Sequence, residues 1–105
     1  MPAYDKLIRD LVPSKLDRLR VAYRTRTLDD DEYRSRLLDK LMEETAELRA
    51  AANDDEQREE LADVLEVVLA IAELLGGLDR LEQTRVAKAE DRGGFAGRIL
   101  LEETD

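Results

Sequence analysis

Apolar residues recur at helical spacing along three stretches of the chain, separated by short polar or glycine-containing breaks. The first stretch is TLDDDEYRSRLLDKLMEETAELRAAAND, in which Tyr33, Leu37, Leu41 and Leu48 recur at that spacing. Asp29 with Glu32 three positions on is a capping-box signal for its start, and the helix is predicted to end near Asn53. The second runs from about Asp55 to Leu75; its acidic opening suits the positive end of a helix dipole, and Gly76-Gly77 supplies a stop. Its second half, VLEVVLAIAELL, is apolar almost all round, which predicts burial on more than one side, by its own bundle and by another subunit. The third is predicted to begin at Asp79, again with a Glu three residues on at Glu82, and to reach about Arg92 before Gly93-Gly94.

The flanks are less regular. Pro13 favours an extended Val12 before it and opens a short helix to about Arg20. VAYRTRTL at 21–28 has the β-branched alternation of a short strand, and GRILLE at 97–102 is a candidate to pair with it. The expectation is a mainly α antiparallel helical bundle in one domain, residues 1–105, with a minor β pairing at its flanks.

Composition narrows the chemistry. The chain has 105 residues, a formal charge of −9, and no His, Cys or Trp. Disulfides, thiolate nucleophiles and cysteine zinc sites are excluded, and the commonest general base is missing. What remains is carboxylates, Lys, Arg, hydroxyls, or a metal that carboxylates hold. A domain this short buries only about 60–65% of its unfolded surface, which favours a partner chain. The negative balance disfavours a nucleic-acid polymer as partner. Without a long apolar run or a signal-peptide pattern, the chain reads as cytoplasmic and without a membrane partner. Charge is also uneven along the sequence. Residues 1–26 carry seven basic and three acidic side chains, 27–79 five and seventeen, and 80–105 five and six.

The acidic middle holds Glu43-Glu44-x-x-Glu47 on the first long helix and Glu60-x-x-Asp63 on the second. Spacing alone is weak, because a chain this acidic shows such a three-carboxylate pattern by chance about 1.5 times. Position on the helix adds weight. At about 100° per residue from Leu41, Glu44 lies about 60° away and borders the apolar stripe, Glu47 about 120°, and Glu43 about 160°. Asp63 shares its face with Val67, Ala70 and Leu74, and Glu60 lies about 60° from it. Packing these helices antiparallel through the Asn53-Asp54 turn would bring the pairs together, and converging carboxylates need a cation. Oxygen ligands alone select Mg²⁺, with Mn²⁺ or Ca²⁺ as alternatives, over Zn²⁺ or Cu²⁺. A solvated acidic face with partners on its own helix accounts for these residues equally well.

Magnesium sites usually combine carboxylates with substrate phosphates, so four carboxylates suggest more than one ion and an anionic substrate. Lys88 and Arg92, at i, i+4 on the third helix, and Lys6 and Arg9 in the basic arm are candidate phosphate ligands, with ordinary surface charge as the alternative.

Four blocks in order, YDKLIRDLVP at 4–13, KLMEETAEL at 40–48, ELADV at 60–64 and KAEDRGGF at 88–95, resemble the all-α nucleoside triphosphate pyrophosphohydrolases. Within that superfamily, which includes MazG and the phosphoribosyl-ATP pyrophosphohydrolases, the chain is most similar to small phosphoribosyl-ATP-pyrophosphohydrolase-like proteins. The resemblance implies that Glu44, Glu47, Glu60 and Asp63 bind Mg²⁺, with Glu43 the first carboxylate of the signature. Glu43 or a neighbouring carboxylate is the candidate proton acceptor. It implies homodimers or homotetramers, and hydrolysis of a nucleotide between its α and β phosphates by a water that the metal makes more acidic. The substrate expected is a (d)NTP in nucleotide-pool house-cleaning, with phosphoribosyl-ATP in histidine biosynthesis as the alternative. Base-specific members read the nucleobase with an Asn on the later helix, whereas the only Asn here is Asn53. The third reading is a non-catalytic helical interaction module, which the apolar Val64–Leu75 face allows.

Overall fold

The computed structural model describes residues 5–105, so Tyr4 of the first motif lies outside the described residues. Four helices follow one another: α1 (Val12–Arg18), α2 (Asp30–Ala50), α3 (Asp54–Leu74) and α4 (Leu78–Arg92). The fold is mainly α, and the three long helices are those the periodicity predicts. The chain forms two compact units, Met1–Ile71 and Ala72–Asp105.

In the first unit, α1 begins one residue before its proline. Val12 is helical rather than extended, because a proline in the first turn sits where no intrahelical N–H donor is needed. The helix stops at Arg18, and Arg20 takes a left-handed φ of 56° as Val21 N–H donates to the Leu16 carbonyl at 3.0 Å. At the start of α2, the Asp29 carboxylate accepts the Glu32 N–H at 2.9 Å, as the capping box predicts. The end of α2 comes at Ala50, short of Asn53, because Asn53 is recruited as the cap of α3. Its side-chain oxygen accepts from the Glu56 N–H at 2.9 Å, and the Glu56 carboxylate accepts from the Ala52 N–H at 2.9 Å. That reciprocal pair fixes the short turn from which α3 returns along α2. Leu37 of α2 and Val67 of α3 are buried.

In the second unit, Gly76 ends α3 with φ +102°, and the Gly77 N–H donates to the Ala72 carbonyl at 2.8 Å. This is a Schellman stop, and it needs the glycine that the sequence supplies. Helix α4 starts at Leu78 after Gly77, with no side-chain cap. The Asp79/Glu82 capping box therefore does not form; Glu82 instead pairs with Arg85 one turn on.

The expected β pairing is also absent among the described residues, where 21–29 and 98–105 are irregular. Arg26 forks onto both carboxylate oxygens of Glu32, at 2.9 and 2.6 Å, tying the 21–28 segment to the first turn of α2. In the tail, Ile99, Leu100 and Leu101 are all exposed, so neither face of a strand would be covered. An uncovered two-stranded pair has little stability in water.

Candidate metal centre

The carboxylates that the sequence singles out meet in the first unit. Helix α2 contributes Glu44 and Glu47 and α3 contributes Glu60, and one carboxylate oxygen from each lies within 4.8 Å of the others. Glu44 is the deepest, only 7% exposed, because its position at the edge of the apolar stripe turns it toward α3. Glu60 is half-buried and Glu47 exposed. Oε2 of Glu44 and Oε2 of Glu60 are both buried without a hydrogen-bond partner. Native proteins rarely leave buried charged oxygens unsatisfied, so the pair points to a cation. Burial, followed by a side-chain hydrogen bond with Glu47 and the neighbouring Glu47 and Asp63 charges, raises the Glu44 carboxyl above its ordinary value, and Lys40 opposes this only partly.

Asp63, the fourth expected ligand, stands outside the three-oxygen cluster, with its Oδ1 accepting from the Arg9 guanidinium at 2.6 Å. Glu43 also faces a cation. The Lys6 ammonium donates to Glu43 Oε1 at 3.1 Å, and that bond first, then the charges of Lys40 and Lys6, holds Glu43 below the usual carboxylate range. The same contact raises Lys6. The arm bearing Lys6 and Arg9 is anchored by Arg36, which donates to the Asp5 carbonyl at 3.1 Å and to its carboxylate at 3.2 Å.

Thus the structure brings together Glu43, Glu44, Glu47, Glu60, Asp63, Lys6 and Arg9. Lys6 and Arg9 lie against carboxylates rather than standing free for phosphate. Lys88 and Arg92 belong to the second unit, along an open groove of α4 that Arg80, Thr84 and Asp91 also line.

Sequence reasoning passed over Lys40, whose ammonium lies 3.7 Å from Glu43 and 3.5 Å from Glu44. The i, i+3 and i, i+4 spacing was the signal for it. The Arg36–Asp5 anchor had no such signal, since it joins residues far apart in the chain. The donor set, carboxylate oxygens with no nitrogen or sulfur, fits a hard divalent cation.

The family model for phosphoribosyl-ATP pyrophosphohydrolase matches residues 4–83, which include the whole acidic centre and its basic arm and exclude Lys88 and Arg92. No curated protein and no solved structure matches the chain. The match covers well over half of the sequence, in a family of pyrophosphohydrolases that act on nucleotides and typically depend on a divalent metal. The chain belongs to the phosphoribosyl-ATP pyrophosphohydrolase family, within the MazG-like all-α superfamily, and is a hydrolase of phosphoric anhydrides.

Proposed function

We propose that the protein is a Mg²⁺-dependent pyrophosphohydrolase that cleaves a (d)NTP between the α and β phosphates, in cytoplasmic nucleotide-pool house-cleaning. The observation that carries this reading is the pair of buried, unpartnered oxygens on Glu44 and Glu60, two members of one carboxylate cluster on α2 and α3, in a family of pyrophosphohydrolases. Glu44, Glu47, Glu60 and Asp63 would hold Mg²⁺, with Mn²⁺ as a substitute. A divalent cation there supplies Lewis-acid polarisation of the phosphates and lowers the pKa of water.

The protein's own groups then have distinct tasks. Glu44 and Glu60 fix the position of the centre, because packing leaves them little freedom. Glu43 stays ionised beside Lys6 and lies off the oxygen cluster, so it is available to take the proton of the attacking water. Lys6 and Arg9, once displaced from Glu43 and Asp63, would offset charge on the phosphates and on the leaving pyrophosphate. Lys88 and Arg92 are proposed as phosphate ligands of their own unit. The active species is proposed to be a homodimer or homotetramer.

A second reading rests on the family match itself, whose name carries phosphoribosyl-ATP as the substrate, in histidine biosynthesis. Membership in a hydrolase family displaces the non-catalytic interaction module. The two enzymatic readings separate on a substrate panel with Mg²⁺. Pyrophosphate release that is fastest with dNTPs or NTPs supports house-cleaning. Release confined to phosphoribosyl-ATP overturns it in favour of the biosynthetic reaction.

A further inference from the structure

Asp63 is the one proposed ligand held away from the others. Its oxygens are absent from the Glu44, Glu47 and Glu60 cluster, and the Arg9 guanidinium contacts its Oδ1 at 2.6 Å. Arg9 is not on a free strand of chain, because Arg36 clamps the arm at Asp5 and Lys6 rests on Glu43. The arm therefore carries two cations to two carboxylates at fixed places. Between them Glu44 and Glu60 keep buried oxygens that neither cation satisfies.

We propose that Arg9 is a built-in competitor for the divalent cation: the Arg9–Asp63 pair and entry of Asp63 into the metal centre are mutually exclusive. Loading the metal turns the Arg9 guanidinium off Asp63 and presents it to the phosphates of the substrate. Electrostatics supports the exchange, since a guanidinium and a divalent cation on one carboxylate repel each other. A planar fork released from a carboxylate is also well shaped for a phosphate oxygen pair. Until a cation takes its place, the arm partly neutralises the carboxylates. This inference rests on the metal-centre reading above.

The test is Mn²⁺ binding to the full chain by isothermal titration calorimetry, without nucleotide, at one fixed ionic strength. Wild type is compared with Arg9→Gln and with Lys6→Gln, which removes the same charge from the same arm. For an exposed ion pair, Arg9→Gln is expected to tighten Mn²⁺ binding by up to about fivefold, with a distinctly smaller gain for Lys6→Gln. Circular dichroism of each variant checks that the helices are retained. Equal affinity in wild type and Arg9→Gln, or equal gains in both variants, overturns the competition and leaves the metal centre standing. No Mn²⁺ binding by any of the three overturns the centre as well.

Discussion

Glu44 shows how one residue's environment sets its chemistry. A carboxylate beside an apolar stripe, with Lys40 reaching only one of its oxygens, is held partly desolvated, and its pKa rises. In the folded state the protonated form is therefore favoured relative to the unfolded chain. For an acid raised this way, the stabilisation is full below the ordinary value of 4.5 and is lost as pH rises through the raised value. Glu44→Gln should remove that loss. With divalent metal chelated, its thermal midpoint at pH 7 should exceed wild type by about 4–8 °C, equivalent to about 1 kcal/mol. The difference should shrink toward pH 4. A Gln variant that melts at or below wild type at pH 7 would show that Lys40 already satisfies the site. Glu44 at the core edge was readable from helical angles, and the Lys40 contact from spacing. The Arg9–Asp63 and Lys6–Glu43 pairs were not, since they depend on how the arm folds back over α2 and α3.

At the scale of elements, local chemistry was legible and long-range pairing was not. Asp29 with Glu32 and the Gly76-Gly77 stop behave as the sequence indicates. Asp79 with Glu82 does not, because Gly77 and Leu78 already begin the helix and leave Asp79 inside its first turn. The strand reading of 97–102 failed for a tertiary reason: alternation specifies a strand only when one face finds cover. The helices also carry apolar surface that their own unit does not use. Leu38 and Met42 on α2, and Leu61 and Leu65 on α3, are i, i+4 pairs left exposed. Among the described residues only Leu37, Val67 and Ala72 are buried hydrophobic side chains, a small core for two 21-residue helices. Association of copies would cover these faces. Light scattering at micromolar concentration should give at least twice the 12.0 kDa chain mass, and a stable monomer would contradict the proposed oligomer.

Across the whole molecule, the charge of −9 is organised rather than diffuse. The acidic middle builds the carboxylate cluster, and the basic arm supplies two of its counter-charges. No helix among the described residues is long and apolar enough to cross a membrane. The absence of His and Cys is consistent with chemistry carried by carboxylates, cations and water. Glu60 and Asp63, with Glu44 and Glu47, are proposed to form a divalent-metal centre on which pyrophosphate release depends. The most direct test is ³¹P NMR of the products formed by wild type, Glu60→Gln and Asp63→Asn, with and without Mg²⁺, helicity being checked by circular dichroism. Monophosphate and pyrophosphate are expected from wild type only with Mg²⁺, with loss of at least about 100-fold in each variant and helicity retained. Unchanged turnover in both variants, or equal turnover without Mg²⁺, would contradict that proposal.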